Sequence, residues 1–163
     1  MSVVHPVALV AIILGLVACD SVGIDVAPKA DADGWTEMLS AVNTLRMEGG
    51  TCGGERMAPA PALIWDERLE SAARRHASDM AEHGYFGHTG SDGASLGERV
   101  DRAGYDWSVV GENLARHQRS IGEVITDWQQ SEGHCRQIYD PAFAEVGAAL
   151  VDDHWVQVFG YPR

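Results

Sequence analysis

The sequence predicts an α+β domain, and three patterns carry that reading. Apolar residues recur at spacings of three and four from Trp35 to Glu48 and again from Asp66 to about His83, which marks two amphipathic helices. Ser95-Leu96-Gly97-Glu98 and Ser120-Ile121-Gly122-Glu123 fit the capping box, in which the serine accepts from the third amide and the glutamate reaches back. From Glu145 onward the apolar period falls to two, with Val146, Ala148 and Leu150 alternating against their neighbours. Helices first, strands last and helices between them argue for an antiparallel sheet packed by helices.

The elements follow in order. Residues 1–18 read as a leader: Val7 to Val17 is an apolar run of about 11 residues, short of the roughly 20 that span a bilayer and suited to a secretory signal. Its end, Leu16-Val17-Ala18-Cys19, resembles the lipobox of bacterial lipoproteins, which implies that Cys19 is acylated and tethers the chain to a membrane. Two or more acyl chains make such an attachment stable. Residues 19–34 are small and acidic, with Pro28 and Gly34, and read as a flexible tether. One domain, 35–163, remains, near the commonest domain size.

Within it the first helix stops at Gly49-Gly50, and 51–61 reads as a loop of Gly, Pro and Ala. Asp66 is the expected N-cap of the second helix, with Glu67 and Glu70 in its first turn and Gly84 as its stop. A short helix from Ser95 to about Ala103, a loop carrying Trp107, a strand over 108–110 and a helix from Ser120 to about Gln130 follow. A hairpin turning at Asp152-Asp153 and returning through His154 to Phe159 closes the domain.

Charge and cysteines exclude some functions. The net charge of -12, with 12 Lys and Arg against 24 Asp and Glu, offers no basic face for nucleic acid. With Cys19 committed to lipid, Cys52 and Cys135 form an even pair in an exported, oxidising setting, so a disulfide is expected. Metal ligation beside His134 is the alternative.

The chemistry gathers in one stretch. Phe86-Gly87-His88 and Gly111-Glu112-Asn113 each set a polar group beside glycine, as at a cleft wall, and His88 and Glu112 are expected to meet there. His134, in Ser131-Glu132-Gly133-His134, and Glu145, in Phe143-Ala144-Glu145-Val146-Gly147, are expected to complete a cluster of two histidines and two glutamates.

Six phrases together resemble one family. His76-x-x-x-Met80-Ala81, Phe86-x-His88, Gly111-Glu112-Asn113, Trp128-x-x-Ser131-x-Gly133-His134, Glu145-Val146-Gly147 and Trp155-x-Gln157-x-Phe159-Gly160 match, in order and spacing, the CAP superfamily of cysteine-rich secretory, antigen 5 and pathogenesis-related proteins, in its bacterial SCP-like branch. The resemblance implies an α-β-α sandwich with a three-stranded antiparallel sheet and a cavity lined by His88, Glu112, His134 and Glu145. In some members that cavity holds a divalent metal.

Three functions stay open. The cleft could bind a lipid or cell-envelope ligand. It could be a hydrolase for peptide or peptidoglycan, with zinc or another divalent cation on His88 and His134 and with Glu112 or Glu145 as general base. The four residues could instead only stabilise a structural envelope protein, the glutamates accepting backbone amides. Binding leads, because no nucleophile motif is present: Ser131 lies near His134 but outside any G-x-S-x-G turn. The cell envelope, on the extracytoplasmic side, is the expected location. His76, on an apolar helix face, reads as a core residue.

Overall fold

The computed structural model describes residues 30–163, with side chains from Trp35, together with Met1. The leader, Cys19 and most of the tether lie outside the described residues. The elements are α1 (Ala30–Glu48), β1 (Gly50–Cys52), β2 (Glu55–Met57), β3 (Ile64–Trp65), α2 (Glu67–His83), α3 (Leu96–Arg102), β4 (Trp107–Arg116), α4 (Ile121–Gln130), α5 (Glu132–Tyr139), β5 (Glu145–Val151) and β6 (His154–Pro162). No described helix is long and apolar enough to cross a membrane.

The sheet runs β3-β5-β6-β4, with β4 at one outer edge. Helices cover both faces. On one, Leu69, Ala73, Ala77 and Met80 of α2 and Val100 of α3 pack on Leu114, Ala149, Val156 and Val158. On the other, Met38 and Val42 of α1, Val124 and Trp128 of α4 and Ile138 of α5 meet Val146, Ala148, Trp155 and Phe159. This is the expected α-β-α sandwich. The approach of α2 is close: a Cβ on Gly147 would lie 2.1 Å from the Glu70 nitrogen, so glycine there lets the helix backbone touch the sheet.

Several expectations about elements need correction. The sheet has a fourth strand, because β3 pairs in parallel with β5 through Ile64 opposite Glu145 and Trp65 opposite Val146. Two residues are too few to show a period. The loop 51–61 contains the β1–β2 hairpin, turned by Gly53 and Gly54, both at positive φ. The strand expected over 108–110 runs on to Arg116, so Trp107, Gly111, Glu112 and Asn113 sit in a strand and not in a loop. A separate helix, α5, follows Ser131, and α1 begins five residues before Trp35.

The caps behave as their chemistry requires. Asp66 accepts from the amides of Arg68 and Leu69, and Gly84, at φ 67°, ends α2 in the left-handed conformation. Ser95 and Glu98 form a complete capping box. At α4 only half forms: Ser120 accepts from the Glu123 amide, while the Glu123 carboxylate accepts from Arg119.

Two constraints join α5 to the start of the domain. Cys52 and Cys135 form a disulfide, 83 residues apart, which by the chain-entropy model is worth roughly 4–5 kcal/mol. Arg46, fully buried, donates to four carbonyls: from Nε to Pro61 at 2.7 Å, from Nη1 to Ile138 at 2.7 Å and Asp140 at 2.9 Å, and from Nη2 to Phe143 at 3.2 Å. Burial lowers its pKa, yet the acceptors compensate by satisfying the charge where three chain segments converge. Arg46→Met keeps most of the volume but leaves those carbonyls without their donor. It should cost about 3 kcal/mol and lower Tm by roughly 10 °C, read by urea and thermal unfolding followed by circular dichroism. A loss under about 0.5 kcal/mol would show that the carbonyls find other donors.

Candidate functional site: a cleft at the free edge of the sheet

Glu112 is placed by β4 on the face covered by α2 and α3, where its carboxylate is buried. Arg99 of α3 reaches it, Nη2 to Oε2 at 2.6 Å. The other oxygen, Oε1, bonds His88 Nδ1 at 2.8 Å. His88 comes from the α2–α3 connection, which Asp79 holds: its carboxylate accepts from the Ser91 amide at 2.8 Å, from the Ser91 hydroxyl and from the Tyr85 hydroxyl. Despite partial desolvation, those bonds bring Asp79 down to about 2. Arg99 also donates to the His88 and Ala94 carbonyls, at 2.7 and 3.1 Å, so one guanidinium fixes both the loop and the carboxylate.

His134 arrives from the opposite layer, on the first turn of α5. Asn113 links strand to helix, donating from Nδ2 to the His134 carbonyl at 3.3 Å and to Gln157 Oε1 at 3.2 Å. Gly111 makes room here, since a Cβ would lie 2.2 Å from Gln137 Oε1. Between the layers opens a cleft of about 550 Å³, lined by His88, Leu96, Val110, Glu112, His134 and Gln137 among others.

Three of the four expected residues therefore share a site, and Glu145 stands apart. Its Oε2 accepts from the Tyr105 hydroxyl at 2.5 Å, and it does not line the cleft. The register explains this: Glu145 lies opposite Gly160 on β6, which lies opposite Val110 on β4, so two strand spacings separate it from the cleft edge. Burial and the Glu145 carboxylate push the Tyr105 hydroxyl pKa up. His76 is a core residue as expected, fully buried with Nε2 on the Gly87 carbonyl at 2.8 Å, yet also 4.0 Å from Glu112.

Arg99 and Gln137 were not anticipated. Arg99 follows Leu96 by three and precedes Ala103 by four, so its spacing did place it on the inner face of α3. Gln137 lies on α5, and the sequence patterns assigned no helix after the one that ends near Gln130.

The two cleft histidines are electrostatically unlike. The bond from Glu112 raises the His88 pKa, while desolvation, and then the His88 charge, lowers that of His134. Desolvation also lowers His76. For a divalent metal the donor set is short. Glu112 already has both oxygens engaged, leaving His88 Nε2 and the His134 ring, against the three protein ligands of an ordinary catalytic zinc. Among the described residues no group of three His, Cys, Asp or Glu converges as a metal site.

Comparison with known proteins accords with this fold. The family model described as "CAP: Cysteine-rich secretory protein family" matches residues 39–159. Uncharacterized protein YkwD of Bacillus subtilis is 33% identical over 96 residues, 58% of this chain and 37% of that protein. The chain thus spans about a third of the length of the curated relatives it matches. Among solved structures, an extracellular SCP-domain protein of Bacillus anthracis gives a TM-score of 0.69 at 25% identity, covering 77% of this chain and 39% of that one. An outer surface protein of Borrelia burgdorferi gives 0.68 at 21%, covering 81% and 95%. With its sandwich, its cleft and a family match over most of its length, this chain belongs to the CAP, or cysteine-rich secretory protein, family.

Proposed function

We propose that the protein is a binding module of the bacterial cell envelope, tethered through acylated Cys19, whose cleft takes a polar group of an envelope ligand. The observation that supports this most is the convergence of His88, Glu112 and His134 on a cleft of about 550 Å³, within the range of ligand sites. Its lining sets polar groups of His88, Glu112, His134 and Gln137 beside apolar Leu96 and Val110, which suits a ligand that carries both kinds of group. An extracytoplasmic location is supported by the disulfide and by relatives described as extracellular or outer-surface proteins.

The paired electrostatics give the cleft its recognition chemistry. His88, held toward its charged form, presents a donor, and His134, held toward its neutral form, leaves an acceptor. A ligand with adjacent acceptor and donor groups satisfies both. A hydrolytic reading rests on the same His88–Glu112 pair, since a carboxylate orients an imidazole base. It stands second, because among the described residues the hydrogen-bond partner of the His88 ring is Glu112 and not a hydroxyl nucleophile.

Two predictions separate these readings. In histidine NMR titrations His88 should titrate above the ordinary value of about 6.5, and His134 and His76 below it. The stability contributed by His88 is then fully present below about pH 6.5 and lost as pH rises through its raised folded value, the opposite of His134 and His76. His88→Ala should move the His134 midpoint up, and a His88 midpoint at or below about 6.5 would remove this account of the cleft. Zinc titration by calorimetry should find no tight site. A single tight site lost in both His88→Ala and His134→Ala would favour the metallohydrolase, and turnover of a peptide or muropeptide panel would establish it.

A further inference from the structure

Strand β4 is an outer edge of the sheet, and only part of that edge is covered. In an antiparallel ladder, alternate residues turn both main-chain groups toward the partner and the others turn both away. The His117 amide donates to the Asp153 carbonyl at 3.0 Å, and in step with it Gly111, Asn113 and Ala115 face β6 opposite Phe159, Gln157 and Trp155. Val110, Glu112 and Leu114 therefore direct their N–H and C=O groups away from β6. The Leu114 carbonyl shows this, because it accepts from Trp128 Nε1 of α4 at 3.1 Å.

Toward the start of β4 no such cover exists. Among the described residues, no protein group bonds the outward main-chain atoms of Val110 or Glu112. Both residues instead line the cleft, between His88 and Leu96 on one wall and His134 and Gln137 on the other. The strip continues past Val110 to Val109, which lies opposite Tyr161; both are exposed apolar residues, at 38% and 50%. An open strand edge of this kind is a template for another chain.

We propose that the cleft takes an extended peptide, which adds as a further strand to β4, bonds the main chain of Val110 and Glu112, and lays a β-branched or aromatic side chain on Val109 and Tyr161. This rests on the binding-module reading and names the ligand class. The walls select the occupant: a groove flanked by His88 and Leu96 on one side and by His134 and Gln137 on the other admits a single extended chain, whereas a strand of a second copy would bring its own packed helices. Main-chain bonds at alternate residues supply affinity and the flanking groups supply specificity. The span from Val110 to Glu112 is about 7 Å, so about three peptide residues fill it.

The test uses the purified protein and a pool of labelled heptapeptides with alternating Thr and Val, every non-proline residue at the centre, and lysine at both ends to suit the protein's charge of -12. Fluorescence anisotropy should show saturable binding. N-methylation of successive peptide amides should weaken it about tenfold at alternate positions and under about twofold between them, since only inward amides donate. Val110→Pro should weaken binding about tenfold while Tm stays within a few degrees, because proline is tolerated where an edge amide faces outward. Binding that shows no alternation, or that Val110→Pro leaves unchanged, overturns strand addition. A pool that fails to bind, beside vesicles of anionic lipid or soluble glycan strands that bind and lose affinity in His88→Ala, overturns the peptide and keeps the binding module. If peptide, vesicle and glycan all fail to bind, both fall. Concentration-dependent dimerisation abolished by Val110→Pro would assign the edge to a second copy instead and overturn the proposal.

Discussion

The contact on which the functional end of the molecule depends is the bond from Arg99 to the buried carboxylate of Glu112. A carboxylate taken out of water costs several kcal/mol unless a charge and hydrogen bonds replace the solvent. Arg99 supplies both, and its remaining donors go to the His88 and Ala94 carbonyls, so the same guanidinium sets the loop that carries the imidazole. One side chain thus links helix α3, strand β4 and the loop of His88, which Asp79 holds from its other end.

Arg46 plays a matching part in the opposite layer, but with carbonyls alone as partners. It binds α1 to the end of α5 and to the turn before β5, and the disulfide ties β1 to α5 nearby. These two fastenings, with the buried Ile138 and Tyr139, hold α5, a helix of eight residues. His134 and Gln137 ride on it, so the wall of the cleft is positioned by residues far from it in sequence.

The cleft consequently belongs to no single element. One wall comes from the layer of α2 and α3, the other from α5, and the floor is an unpaired strand edge. Where two helical layers flank a sheet, its edge is the place where both layers and free main-chain groups are reachable together. At that edge the side chains of His88, Glu112 and His134 stand beside the outward main-chain groups of Val110 and Glu112.

The sequence by itself determined the local structure and three members of the cluster. Capping residues, glycine stops and the two periodicities depend on near neighbours along the chain, so α2, α3, α4 and the β5–β6 hairpin were legible. His88, Glu112 and His134 were legible because glycine-flanked polar groups and the family phrases single them out. Short elements were not: β3 has two residues and α5 is cut from α4 by a single one, which leaves no period to read. Only the tertiary structure decided that Glu145 serves Tyr105 and not the cleft, because that follows from strand order and register. It alone decided that Arg99 and Arg46 are the buried cations, since a charged residue at helical spacing shows its partners only when the other layer is in place. The free edge of β4 is likewise a fact of strand order, fixed by which strands pair and which are left outside.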